Sequence, residues 1–222
     1  MEYQGYQQDT TPPSAIVLCE MSGRVRDRLL DYGWDAVSCD VLPCESDNYG
    51  ARHYQMDAFD ALRTRSYWDM VIMHPPCTAL AVSGNAHYGM GKAKYHLRLE
   101  AIKWTMELWQ EACRLSPAVC LENPVGVLSN YIGKPAQYVQ PWQFGHPESK
   151  KTGLWLHGLE PLKPTNVLEK PACGYWDNQT PSGQNKLGPS EDRAKIRSLT
   201  YEGIADAIAD QWGSVVIFWI FC

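Results

Sequence analysis

A chain of 222 residues is long enough for one domain with a proper core, and its 45% hydrophobic content is that of a globular and not a disordered protein. The formal net charge of -5 is not the overall signature of a basic nucleic-acid protein, although local basic patches can still bind phosphate. No apolar run has membrane-spanning length, no secretory signal is seen, and the eight cysteines show neither a CxxC nor a zinc-finger spacing; the expectation is a cytoplasmic protein with reduced thiols, no membrane partner and no metal.

Residues 1–14 are polar and read as a loose tail, so that residues 15–222 form a single domain. Residues 15–20 are a first buried strand. Ser22-Gly23 turns the chain into an amphipathic helix carrying Val25, Leu29 and Leu30 and ending near Gly33. Residues 36–41 are a second strand, as a βαβ unit requires. Residues 42–53 read as loop, 54–57 as a short third strand, and the stretch around Phe59 and Leu62 as a short helix.

The run Met70-Val71-Ile72-Met73-His74 is a buried strand stopped by Pro75-Pro76, since neither proline can donate to a sheet ladder. Cys77 is thereby held on a rigid turn at the carboxyl end of a strand, the edge where ligands bind in open α/β sheets. A Gly-rich polar segment, 78–92, is long enough for a functional loop. Residues 93–115 predict a long helix with Leu97, Ala101, Trp104, Leu108, Ala112 and Leu115 on one stripe. Ala118-Val119-Cys120-Leu121-Glu122-Asn123-Pro124 repeats the plan of the Cys77 strand, with Pro124 well placed to open a short helix to residue 132. Residues 138–144 and 152–157 are further strand candidates, 161–189 read as irregular, 199–212 as a last helix and 215–222 as a final strand. Alternation of strands and helices predicts a three-layer α/β domain with a mostly parallel sheet.

Three places can carry chemistry. Glu20 to Gly23 with Asp40 form a strand-turn-helix and a second strand end of the kind that holds a nucleotide-type ligand, a carboxylate there taking a ribose hydroxyl pair. Asp57 adds a contact to a base or amine. Cys77 is a candidate nucleophile, with Ser83-Gly84 as nearby donors. Glu122, in a partly desolvated cleft, is expected to keep its proton at neutral pH and to deliver it to a ring nitrogen. The plain alternatives are an ordinary strand-helix turn, a buried structural thiol and a helix-capping Glu or Asn.

Pro75-Pro76-Cys77 followed by Glu122-Asn123-Pro124 resembles motifs IV and VI of the DNA cytosine-5 methyltransferases. Glu20 to Gly23 falls where that family has motif I, Asp40 where it has motif II and Asp57 where it has motif III. Phe144-Gly145-His146-Pro147-Glu148-Ser149-Lys150-Lys151 looks like a degenerate motif VIII, and residues 201–212 are similar in position to motif X. Motif I of the family usually carries several glycines and here has one; Thr152 stands where the family tends to have Arg. The chain looks most like the short members borne by bacteriophages and prophages. The family's large target-recognition region is reduced here to about residues 160–197, with little material to enter a groove.

The resemblance implies a Rossmann-like class I fold with helices on both faces of the sheet, S-adenosylmethionine as cofactor, and C5 of cytosine in DNA as methyl acceptor. It makes Cys77, Glu122 and Asn123 catalytic, and Glu20, Ser22, Gly23, Asp40, Asp57 and Pro75 cofactor-binding. Ser83, Lys92, Lys94, Lys150, Lys151, Arg193 and Arg197 would then face DNA, mainly its phosphates. The short recognition region leaves a free deoxycytidine nucleotide or single-stranded DNA open as the substrate, and the single-glycine motif I leaves open an inactive nucleic-acid-binding or decoy protein.

Overall fold

The computed structural model describes residues 11–48, 52–188, 190 and 193–214. Its elements in chain order are β1 (Ser14–Leu18), α1 (Arg24–Asp31), β2 (Asp35–Asp40), β3 (His53–Gln55), α2 (Ala58–Leu62), β4 (Met70–Met73), α3 (Asn85–Tyr88), α4 (Tyr95–Leu115), β5 (Val119–Pro124), β6 (Gln137–Val139), β7 (Thr152–His157), α5 (Arg193–Ser198) and α6 (Glu202–Ile208). The strands form one sheet in the order β3-β2-β1-β4-β5-β7-β6. The pairs from β3 to β5 are parallel. Strand β7 runs antiparallel to both β5 and β6, and among the described residues is the one reversed strand of the seven. The mostly parallel sheet with helices on both faces is therefore the Rossmann-like arrangement expected.

The unbroken apolar runs of β1 and β4 follow from burial on both faces. Successive residues alternate between two cores. Ala15, Val17, Met70, Ile72 and Cys120 pack with α1 and α6 residues such as Leu29, Ile204 and Ile208. Ile16, Leu18, Val71, Met73 and Leu121 pack with Leu62, Ile102, Leu108 and Ala112 from α2 and α4. Because the period is two, this alternation also decides which way the polar residues at the strand ends point: His74 continues Met70 and Ile72, and Glu122 continues Cys120, both towards the α6 face.

Several element boundaries differ from expectation. Strand β1 stops at Leu18; Cys19 takes a left-handed conformation (φ 59°) and turns Glu20 towards α1. Asp57 is not in β3: its carboxylate accepts the Phe59 amide at 2.8 Å and caps α2. The buried stripe of α4 runs through Arg98, Ile102, Thr105, Leu108, Ala112 and Leu115, so its first turn buries Arg98 while Leu97 lies 38% exposed. Pro124 ends β5 instead of opening a helix, and the turn that follows is 3-10, Val127–Asn130. The strand expected at 138–144 is cut to β6, because Pro141 fixes its φ and starts a 3-10 turn, Pro141–Gln143. The last helix begins at Glu202 and passes into a π-turn, Ala209–Gly213. Helix α5 falls between the irregular stretch 161–189 and the expected last helix, where no element was expected. The strand expected at 215–222 lies outside the described residues, as does most of the expected tail. The seven described cysteines are all free thiols, and no described helix is long and apolar enough to cross a membrane.

Candidate active site

A cleft of about 770 Å³ opens along the carboxyl ends of β1, β2 and β4. One end is formed by Cys19, Glu20, Met21 and Ser22 after β1 and by Asp40, Val41 and Leu42 after β2. The other is formed by His74, Pro76, Cys77 and Thr78 after β4 and by Ser83 and Gly84 of the following loop. Arg193, Lys195 and Arg197 of α5 line the same space. Beside it lies a small inner chamber, about 20 Å³, bordered by Glu122, Lys150, Thr152 and Tyr201. That is roughly the room one water needs. His74 and Thr200 border both spaces.

The Cys77 turn is fixed from several sides. The Cys77 carbonyl accepts the amides of Leu80 and Ala81 at 3.0 and 2.8 Å. Asn123 Nδ2 donates to the Pro75 carbonyl at 2.8 Å, tying the end of β5 to the Pro-Pro turn. The loop then zips to the chain after Pro124, with Val82 N to Val125 O at 3.0 Å and Val127 N to Leu80 O at 2.9 Å. Gly126 permits this approach, since a Cβ there would stand 2.2 Å from the Leu80 carbonyl oxygen. Arg98, 5% exposed on α4, donates to the Ala79 carbonyl at 2.7 Å and to Asn85 Oδ1 at 2.8 Å. The turn that carries Cys77 is thereby held rigid.

Burial pushes the Cys77 thiol up, and the charge of Glu122 adds to this; Lys150 and Arg197 oppose it without prevailing. The resting residue is a thiol. For Glu122 the outcome corrects the expectation. Burial raises its carboxyl, but Lys150, the His74 ring and the Thr152 hydroxyl together overcome burial and hold it below the ordinary carboxylate range. Glu122 is ionised at neutral pH in the free protein, and it becomes an acid only after taking up a proton. His74 Nδ1 lies 3.3 Å from Glu122 Oε2. An ionised carboxylate only accepts, so Nδ1 is the donor.

At the β1 end the polar groups are engaged within the protein. Glu20, 4% exposed, accepts the amides of Val25 and Arg26 at 2.7 and 3.3 Å and so caps α1; burial pushes its carboxyl up. Gly23 is left-handed (φ 71°), and a Cβ there would meet Arg26 Nη2 at 2.5 Å. The single glycine of this turn thus makes room for the buried Arg26, which bonds Asp27, Ser38 and the Asn48 carbonyl. Asp40 Oδ1 accepts the Leu42 amide at 2.9 Å. The cleft here is lined by Cys19, Glu20, Met21, Ser22, Asp40 and the exposed apolar Val41 and Leu42. A hydrogen-bonding rim beside an apolar wall fits a nucleoside-type group.

The structure brings Glu20, Ser22, Asp40, Cys77, Ser83, Arg193 and Arg197 to the cleft, and Glu122 and Lys150 to the adjoining chamber. Asn123 and Pro75 sit behind, as support. Asp57 is off the cleft walls, spent on its cap. Lys92, Lys94 and Lys151 are exposed outside it, Lys94 lying 5.9 Å from the Tyr88 ring centroid and Lys151 4.4 Å from that of Tyr138. Sequence reasoning missed His74 and Arg98. The period-2 alternation that aligns residues 70, 72 and 74 was a usable signal for the first; nothing in the helical pattern marked the second.

Strand order, the single reversed strand and a ligand-sized cleft at the strand ends define a Rossmann-like α/β fold. No family model and no curated protein matches the chain. Among solved structures it is similar to the crystal structure of the S. pombe Dnmt2 methyltransferase, with 15% identity and a TM-score of 0.45 over 68% of this chain and 51% of that one. The chain thus spans about half the length of that protein.

Proposed function

We propose that the protein transfers a methyl group from S-adenosylmethionine to C5 of cytosine in DNA, through a covalent bond between Cys77 Sγ and C6 of the base. The observation that carries this reading is a rigidly held thiol at one end of a cleft whose other end suits a nucleoside, with an ionised carboxylate from the neighbouring strand in the adjoining chamber. When bound, the cofactor supplies the electrophilic methyl group. Ser22, Asp40 and the backbone after β1 would hold it.

The resting protonation states set the order of events. The proton leaving the Cys77 thiol goes to Glu122, which passes it to N3 of the base while Sγ bonds to C6. Negative charge then does not accumulate on the ring, and C5 becomes nucleophilic. Asn123, through Pro75, keeps the β5 end in register with the thiol. In a duplex the cytosine has to leave the stack, at a cost of a few kcal/mol.

A second reading keeps the chemistry and changes the acceptor to single-stranded DNA or a free deoxycytidine nucleotide. It is favoured by the position of Arg193 and Arg197, which line the cleft itself, whereas Lys92, Lys94 and Lys151 stand apart from it. The test is to incubate the purified protein and S-adenosylmethionine with duplex DNA, single-stranded DNA and deoxycytidine monophosphate, and to measure 5-methyldeoxycytidine by mass spectrometry. Product from duplex DNA supports the first reading, and product only from single-stranded DNA or the monophosphate supports the second. No product from any acceptor contradicts both.

A further inference from the structure

Among the described residues, His74 is the one with a titratable ring that borders both the thiol's cleft and the carboxylate's chamber. It is held at both ends. Its backbone amide donates to the Leu18 carbonyl at 3.0 Å, and its Nδ1 faces Glu122 Oε2 at 3.3 Å. The side chain is only 7% exposed, yet Nε2 is buried with no hydrogen-bond partner. Leaving a buried polar atom unpartnered is costly, and such a cost persists in a native site where a ligand or proton is to be met. With Nδ1 facing the Glu122 carboxylate as donor, Nε2 is the ring nitrogen left to accept a proton. A base whose other nitrogen is fixed by a carboxylate is the arrangement that readies an imidazole to accept a proton.

The proposed reaction leaves one proton without an acceptor. Once C5 has received the methyl group it still carries its hydrogen, and aromaticity returns only when that hydrogen leaves. We propose that His74 is a catalytic residue whose Nε2 takes the C5 proton; this rests on the methyl-transfer reading above. The C5–H bond breaks and its proton goes to Nε2. The electron pair left behind forms the C5–C6 double bond, and the C6–Sγ bond breaks with its pair leaving on Sγ as thiolate. Glu122, whose proton is on N3 at that moment, is an anion beside the new imidazolium. N3 then returns its proton to Glu122.

The test compares wild type, His74→Asn and His74→Gln on a cytosine-containing oligonucleotide with S-adenosylmethionine. Asparagine keeps a donor where Nδ1–H stands and removes Nε2; glutamine places an amide near the Nε2 position but offers no basic nitrogen. Two quantities are read: free 5-methyldeoxycytidine, and the denaturation-resistant protein–DNA adduct with its mass. The expected result is an adduct bearing the added methyl that accumulates in the variants, with release of product reduced about 10²–10⁴-fold. Release within a few-fold of wild type in a folded variant would overturn the inference. So would loss of adduct and product together in variants that still bind S-adenosylhomocysteine, because His74 would then act only by orienting Glu122. If His74→Asn does not fold, His74→Gln is read by the same criteria. If wild type itself forms neither adduct nor product, the methyl-transfer reading has failed, and the His74 step with it.

Discussion

At the carboxyl ends of β1, β2 and β3 the carboxylates are bound to backbone: Glu20 caps α1, Asp40 closes the turn to Leu42, and Asp57 caps α2. At the ends of β4 and β5 polar atoms stand without partners, His74 Nε2 and Asn123 Oδ1 among them, although both are buried. The contrast extends to charge. Burial pushes Glu20 up, whereas Glu122, with Lys150 and His74 beside it, is held down. One half of the sheet edge uses side chains to shape backbone, which suits holding a ligand. The other keeps unpaired hydrogen-bonding capacity in a dry setting, which suits changing one.

Substitutions sharpen this division. Cys77→Ser should lower methyl transfer below detection while leaving the thermal midpoint within about 2–4 °C of wild type; activity at a substantial fraction of wild type would rule out covalent catalysis here. Glu122→Gln should lower turnover about 10²–10⁴-fold. It should also speed alkylation of Cys77 by iodoacetamide at neutral pH, since the charge that raises the thiol is gone. An unchanged alkylation rate would break the link between the two groups. Arg98→Met leaves the Ala79 carbonyl without its donor, at about 1–3 kcal/mol, and should loosen the loop after Cys77. Faster hydrogen exchange confined to residues 78–84, with reduced turnover, is the expected signature.

On the other half of the edge the effects are smaller. Asp40→Ala should weaken S-adenosylhomocysteine binding about tenfold, or roughly 1.4 kcal/mol, by calorimetry; unchanged affinity would mean the cofactor lies elsewhere. The two glutamates should also bend stability against pH in opposite senses. Glu122 is depressed, so its contribution is present above the unfolded-state value and lost as pH falls through the folded one. Glu20 is raised, so its contribution is present below the unfolded-state value and lost as pH rises through the folded one. In urea titrations from pH 3 to 7, Glu122→Gln should lose ground to wild type as pH rises, and Glu20→Gln should gain it. Parallel trends would contradict the assignment.

The strands of the core were legible because β1, β4 and β5 are apolar runs ended by a turn or proline, and Pro75-Pro76 marked where Cys77 would sit. Helix α5 was not, since its sequence has no apolar stripe: Ile196 is 50% exposed, and the helix turns Arg193, Lys195 and Arg197 to the cleft. Its place over the site depends on long-range ties, including an ion pair between Lys195 and Glu45. Glu122 was located correctly but given the wrong charge. A sequence states that a carboxyl is near a strand end and an apolar run; it does not state that Lys150, twenty-eight positions on, folds back beside it. Arg98 was hidden for a similar reason, because a lone arginine on an amphipathic helix looks solvated until the loop it holds is seen.

The central claim is a covalent bond from Cys77 to the base. Its most direct test is intact-protein mass spectrometry after incubation with S-adenosylmethionine and an oligonucleotide containing 5-fluorocytosine, whose C5 fluorine cannot leave as a proton. The account predicts a stable adduct of protein, DNA and one methyl group, mapped by digestion to Cys77 and absent in Cys77→Ser. An ordinary cytosine oligonucleotide that becomes methylated while the fluorinated one leaves the protein mass unchanged would contradict it.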